Sequence, residues 1–557
     1  MISFGPSCQL LALLALASPA ALAQGTGAPQ EGLTLFQPLA STTTYLIDND
    51  GAVVHSWAGT FQPANSVYLL ENDHLLRTIR VQGGGTGGSG GGVQEVAWDG
   101  TIIWDYRYAN QQHLQHHDVE SLPNGNVLLV AWENKTTTEA IAEGRNPAWI
   151  QGPIFRPDHV VEVQATGATT GTIVWEWHIW DHLIQDFDPT QNNYGVVADH
   201  PELLDINFPP HVANQGDWMH VNAIDYNAAL DQIIISSHNT DEVYVIDHST
   251  TSAEAAGHTG GNSGMGGDIL YRWGNPQAYD SGTVADQQLF GQHDVQWIEE
   301  GRPGAGNLLV FNNGTDRPGG PFSSVDEITT PVDAAGSYPQ NAGGTFDPPV
   351  ASWSYVAPTP SDFYSGFISG AQRQPNGNTL ICSGAQAWFF EVTTGGAMVW
   401  EYDNILPNPN QNNVFRVRRY ATCEGVASYC STAPNSSGSG AVMGWSGTTS
   451  IAANDFVLTV TAASTGMPGI FYFGPNQIQV PFGDGFRCVG GSVLRLPVVV
   501  TDAFGDASFA LDFTDPGQSS SVIADGDTWN FQFWFRDPAF GGATFNLSDA
   551  LEVPFCE

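Results

Sequence analysis

The sequence predicts an all-β protein, a six-bladed β-propeller followed by a C-terminal β-sandwich-like domain. Two kinds of short hairpin alternate along most of the chain. Gly 63 and Pro 34, with aromatic residues at 11%, supply turns and strand-forming side chains rather than helices. Beyond about residue 431 both hairpin signatures vanish, and Thr/Ser/Gly-rich segments with period-2 patches such as FVLTVTAAS and WNFQFWFRDP take over.

Residues 1–23 have an apolar core at 10–17 and a small-residue exit at 21–23, the pattern of a cleavable signal peptide. The apolar run is too short for a span of about 20 residues, and no later stretch approaches that length. Secretion or a periplasmic location is therefore expected, with cell-surface association as a further option. Residues 24–43 read as a Gly/Pro/Gln-rich leader, 44–421 as the propeller, and 422–557 as a disulfide-containing accessory domain.

The first hairpin type is GQHDVQWIEEGRPGAGNLLVFNNG at residues 291–314. It recurs as HDVESLPNGNVLLVAWEN from His117, HVNAIDYNAALDQIIISSHN from His220, SGAQRQPNGNTLICSG from Ser369 and, in degenerate form, NSVYLLENDHLLRT from Asn65. The second type carries tryptophan: TYLIDNDGAVVHSW at 44–57, then copies beginning at Val93, Val160, Glu242 and Phe389, with a weaker one over 325–355. One hairpin of each type makes a four-stranded blade, and the count suggests about six. The run VFRVRRY at 414–420 is expected to pair with the 44–57 hairpin and close the ring. The tryptophans are expected to pack between blades. Glycine-rich stretches at 83–92 and 257–267 read as flexible loops, because no helix follows to make a phosphate cradle.

Charge excludes two classes of partner. Lys+Arg 16 against Asp+Glu 57 give a formal net charge of -41, which repels nucleic acid and anionic membranes. Of the 6 Cys, Cys8 leaves with the signal, Cys382 stands alone, and four crowd the C-terminal part. Cys423–Cys430 and Cys488–Cys556 are the expected disulfides, with a zinc site disfavoured by the wide spacing.

Aligned on their turns, the first-type hairpins place Asn65, His117, His220, His293 and Ser369 at one register. First strands line a propeller channel, so this register becomes a ring at its mouth. A lone strand-end histidine is ordinarily polar surface, but three at one register in different repeats are a candidate site. His116, Asn222, His238, Asn239, Asn312 and Asn313 lie close in sequence. Imidazoles and amides with the carboxylates set back at Asp118 and Asp294 suit an anionic substrate group. Glycosidase chemistry needs paired carboxylates, which this register lacks.

The succession HDVESLPNGN, WMHVNAID with IIISSH, GQHDVQW with LLVFNNG and Arg317, then SGAQRQPNGN resembles the bacterial arylsulfate sulfotransferases over residues 44–420. The resemblance implies a six-bladed propeller in an exported enzyme. Such an enzyme moves a sulfuryl group from an aryl sulfate to a phenolic acceptor, without PAPS and without a cofactor or metal. By that resemblance His293 is the transiently sulfated histidine. His117, His220 and Asn222 bind sulfuryl oxygens and assist proton transfer, with Asn312 beside them. The family's arginine after paired serines is replaced in Ser236-Ser237-His238. His238 in acid, Arg317 or Arg373 is expected to supply the missing charge. Two other readings compete: a non-catalytic secreted propeller that binds a glycan or protein, and a metal held by His117, His220 and His293. Oligomeric state is not legible.

Overall fold

The structure, a computed structural model, describes residues 27–70, 72–81, 87–209, 216–341, 343–420, 426–447, 449–451, 454–515, 519–524 and 526–555. The expected signal peptide and Cys8, Cys423 and Cys556 lie outside the described residues.

Each pair of hairpins becomes one four-stranded antiparallel sheet. The second sheet runs Val67–Leu69, Leu75–Arg80, Gly91–Val96, Ile102–Arg107, and the third His113–Ser121, Val127–Glu133, Asp158–Gly167, Thr170–His178. The fourth is Val221–Asn227, Gln232–Ser237, Glu242–Asp247, Tyr271–Trp273, and the fifth His293–Trp297, Leu308–Asn312, Ser324–Ile328, Trp353–Tyr355. The sixth is Gly370–Arg373, Thr379–Ser383, Trp388–Val392, Met398–Asp403. The first is composite, ordered Arg418–Tyr420, Leu33–Phe36, Thr43–Ile47, Val53–Ala58. Apolar side chains fill the gaps between neighbours, as where Ile234, Val243 and Val245 meet Val295, Leu308 and Val310. Each such full burial contributes roughly 1.5–3 kcal/mol.

Tryptophan indoles trace the ring. Trp57 donates to Ala97 O (3.1 Å), Trp104 to Thr170 O (3.2 Å), Trp175 to Thr250 Oγ1 (3.1 Å), Trp273 to Pro348 O (2.7 Å), Trp353 to Thr394 O (2.9 Å) and Trp400 to Asn49 O (2.6 Å). Each donor stands on the outermost strand of one sheet and each acceptor lies in or beyond the outer hairpin of the next, from first to sixth and back to first. Residues 33–420 thus form a closed β-propeller with six four-stranded sheets among the described residues. No helix of the described residues is long and apolar enough to cross a membrane.

The closure differs from expectation. Arg418–Tyr420 pairs with Leu33–Phe36, not with the 44–57 hairpin, which lies one strand further out. The strand LTLF falls inside the stretch read as leader: four residues of buried pattern are too few to stand out from Gly/Pro/Gln surroundings. The 257–267 stretch is ordered by its own backbone, with Gly266 N donating to Gly260 O (3.0 Å) and Gly267 N to Gly257 O (3.0 Å).

In the C-terminal part, one sheet is ordered Ala427–Tyr429, Phe545–Pro554, Thr528–Arg536, Pro468–Gly474, Leu494–Val500, and a second contains Val442–Ser446, Val457–Thr461 and Ala507–Ala510. They enclose Phe456, Phe471, Phe473, Phe531, Phe533 and Phe535. The disulfide here is Cys430–Cys488, which overturns both expected pairings and any site using all four thiols. Sheet pairing decides it. Tyr429 on an edge strand donates its hydroxyl to Cys488 O at 2.9 Å and carries Cys430 to the Gly485–Gly490 strand.

Candidate active site

The innermost strands of the third, fourth and fifth sheets each carry a bulge just where the histidines stand: register slips between Gln115 and Val119, Val221 and Ala223, and His293 and Gln296. A bulge bends the strand and re-aims its side chains. His117 (φ 49) and His220 (φ 52) take left-handed backbone at the bulge, whereas in the fifth strand the left-handed residue is Asp294 (φ 56), one position after His293. The register is therefore shared to within one residue. His117 packs against Gly88, where an added Cβ would fall 2.2 Å from Nε2, so that glycine is required by space as well as by its φ of +78.

These backbones bring the rings together. Centroids are 4.6 Å apart for His117 and His220, 5.4 Å for His220 and His238, and 5.5 Å for His238 and His293. Phe415 closes the arc, 6.2 Å from His117 and 6.0 Å from His293. Every Nδ1 is held. His117 Nδ1 meets His116 Nδ1 (2.7 Å), His220 meets Asp217 Oδ2 (2.5 Å), His238 meets Asn239 Oδ1 (3.0 Å) and His293 meets Asn313 Oδ1 (2.8 Å). Asn313 gives its amide hydrogens to Ser365 O (2.6 Å) and Ile368 O (2.8 Å), so its oxygen faces His293 and fixes the proton on Nδ1. Among the described residues no group hydrogen-bonds the Nε2 atoms of the four rings.

Four like side chains have unlike proton affinities. Burial, reinforced by His238, holds His293 well below the usual 6.5; burial and His220 do the same to His117, and lower His238 to about 4. His220 moves the other way: burial lowers it, but the Asp217 carboxylate outweighs burial and raises it. Behind His117, His116 stands with Nε2 2.7 Å from Asp158 Oδ1.

Beneath the arc lies a buried ionic layer. Asp118 and Asp294, the residues after His117 and His293, accept backbone amides from the next sheet, Ile224 N (3.1 Å) and Ala371 N (3.0 Å). Gly370 leaves room for this, since a Cβ there would meet Asp294 Oδ2 at 2.0 Å. Arg416 bridges Asp294 (2.6 Å) and Asp118, and Arg418 adds a second pair to Asp294 (2.6 Å). Even so paired, Asp118 is pushed up to about 8, first by burial.

A family model for arylsulfotransferases (ASST) matches residues 22–424. The chain belongs to the arylsulfotransferase family. The family uses aryl sulfate donors and phenolic acceptors. No curated protein matches. Solved structures with similarity include a protein of unknown function from Bacteroides caccae (11% identity, TM-score 0.39, 71% of this chain and 100% of that one). Virginiamycin B lyase from Staphylococcus aureus (10%, 0.31, 68% and 85%) and a protein from Lactobacillus plantarum (10%, 0.35, 70% and 99%) are further examples.

In this member of the family the residues singled out from sequence divide into two groups. His117, His220, His238 and His293 meet at one place. Asn222 is buried behind them and donates to Gln292 O (2.8 Å), bracing the strand that carries His293. Asn312 is fully used inside the fold by Phe290 N, Gln288 O and Asp326. Arg373 is locked in a buried pair with Glu327 (2.6 Å), and Arg317 donates to Ser324 Oγ (2.9 Å) with its guanidinium over Phe290 and Phe322. The ligand atoms of His, Cys, Asp and Glu that gather closely enough for a metal, among the described residues, are not those of the channel histidines. Asn313 is among the amides expected around the register, whereas Asp217, Phe415 and Arg416 are not picked out by the sequence as parts of the site.

Proposed function

We propose that this member of the family is an exported arylsulfotransferase that works through a sulfohistidine at His293, without PAPS. The observation that carries the reading is the split between His293 and His220. Burial pushes one imidazole toward its neutral form, with Nδ1 held by Asn313, and Asp217 pushes the other toward its protonated form. Groups whose surroundings drive their proton affinities apart take opposite acid–base roles.

The steps balance as follows. The His293 Nε2 lone pair attacks sulfur, the sulfur–aryl oxygen bond breaks, and the departing phenolate takes the Nε2 proton of His220. A phenolic acceptor then gives its proton to the neutral His220 while its oxygen attacks sulfur, and the electron pair of the sulfur–nitrogen bond returns to His293. Nucleophilic catalysis of this kind divides one hard transfer into two easier ones and gives ping-pong kinetics. Proton transfer by a placed side chain typically contributes about 10²–10⁴-fold. His220 also supplies positive charge to sulfuryl oxygens, the task the family's arginine performs, while His238, lowered to about 4, contributes a neutral donor or acceptor.

His293→Ala is expected to abolish acceptor-dependent release of phenol from a chromogenic aryl sulfate while leaving the unfolding transition in place. Unchanged turnover in that variant would refute the assignment. A non-catalytic propeller that binds a glycan or protein predicts no acceptor-dependent release in the wild type either.

A further inference from the structure

A second cluster of ligating side chains lies away from the histidine arc. His182 follows the outermost strand of the third sheet, and His258 and Asp268 belong to the segment joining Glu242–Asp247 to Tyr271–Trp273 in the fourth. Asp268 Oδ1 is 2.8 Å from His182 Nδ1 and 2.7 Å from His258 Nδ1, and the three ligand atoms lie within 4.8 Å of one another.

The hydrogen-bond inventory does not close for a neutral His182. Its Nε2 is 2.8 Å from Ala255 O, which can only accept, so the ring proton belongs there. Its Nδ1 lone pair then faces a carboxylate oxygen. The side chain has 0% exposure, and its two ring nitrogens are directed at the oxygens of Ala255 and Asp268. A cation between Nδ1 and Asp268 resolves the conflict. One ring nitrogen toward a metal and the other N–H on a backbone carbonyl is the usual arrangement of a ligating histidine.

The surroundings are built to hold these atoms. Trp177 stacks on His182 with centroids 5.7 Å apart and donates to Gly267 O at 2.7 Å. Residue 267 must be glycine, because a Cβ would come within 2.7 Å of His182 Nε2 and 2.8 Å of Trp177 Cδ1. Gly267 N in turn donates to Gly257 O, which sets the place of His258.

We propose that His182, His258 and Asp268 bind a divalent transition-metal ion, zinc by its donor set of two imidazoles and a carboxylate. The His258 side chain is 60% exposed, so the fourth position opens to solvent. Bonds of about 2.0–2.2 Å in a tetrahedral site require donors roughly 3.3 Å apart, so Asp268 retreats by about half an ångström on binding. The ion joins the third sheet to the segment between the third and fourth strands of the fourth sheet. Its role is structural.

The test uses the full chain, stripped with a chelator and titrated with zinc alone. One equivalent is expected to bind and to raise the unfolding temperature, since a ligand selective for the folded state stabilises it. Cobalt in its place should give the strong visible absorption of a tetrahedral site. His258→Ala removes a side chain that is 60% exposed, so the metal-free protein should still fold, its unfolding temperature lowered by no more than the loss of one partly exposed contact to Asp268. It should weaken zinc binding by about a hundredfold or more, the upper end of what even outer ligand partners cost. Asp268→Asn is the second variant, with the same loss of binding expected. Absence of zinc binding in the wild type, or undiminished binding in both variants, overturns the proposal.

Discussion

Asp217 is the residue on which the chemistry turns, because it makes one imidazole of the arc unlike the others. Donor cleavage needs His220 protonated and His293 neutral. The rate therefore falls as pH rises through the raised value of His220, above 6.5, and again as pH falls through the lowered value of His293. In Asp217→Asn the carboxylate is gone and burial alone remains, so the alkaline limb of kcat/KM is expected to move below about 6.5. A limb that stays where it is would assign it to another group. Three of the histidines were legible because a repeated hairpin holds them in register. Asp217 was less so: it stands three residues before His220 in DWMH, but only the left-handed turn at His220 folds the ring back onto it. Asn313 was visible in the paired asparagines yet indistinguishable from Asn312, and the strand end alone directs one to His293 and the other into the fold.

The closing strand is the element that does most to position the site. Of 16 Lys+Arg in the sequence, three fall in the six residues FRVRRY, a concentration that charge counting along the chain could have flagged. Phe415 reaches the arc, Arg416 pairs with Asp118 and Asp294, Arg418 pairs with Asp294, and Arg419 pairs with Glu391 of the sixth sheet while bonding to Thr34 Oγ1 (3.1 Å) beside it. Removing one partner of a buried pair leaves an uncompensated charge. Arg419→Met is expected to cost about 3 kcal/mol in denaturant unfolding, at the low end of that class because Asn378 and Gln30 still donate to Glu391. A loss below about 0.5 kcal/mol, the range of ordinary surface changes, would mean that this strand does not hold the ring shut. The blades were readable from hairpin alternation. The LTLF strand and the Cys430–Cys488 bond were not, since both depend on which distant edge a short segment meets.

At the scale of the molecule, buried ionisable groups of two kinds set a pH window. His117, His293 and His238 are held low, so their contribution is present above about 6.5 and is lost as pH falls from there, for His238 toward about 4. Asp118 is raised to about 8, and Asp205, Asp225 and Asp241 to about 7, each chiefly by burial. Their contribution is fully present below about 3.8 and is lost progressively as pH rises from there to those values. Above about pH 6.5 the lowered histidines no longer change the balance while the raised carboxyls still do, so the unfolding temperature is expected to fall between about pH 6.5 and 8. A curve that climbs steadily from pH 5 to 9 would contradict the burial of one set or the other. The net charge of -41 was plain from composition, but it belongs to the surface and says nothing of this inner balance.

Mixing the enzyme with an aryl sulfate in the absence of acceptor, quenching in alkali and mapping the modified peptide by mass spectrometry addresses His293 itself. One equivalent of phenol released in a burst, with one sulfuryl group on the peptide that contains His293, is the result expected. A burst with the group on another histidine, or release with no protein-bound sulfuryl group at any time, would contradict it.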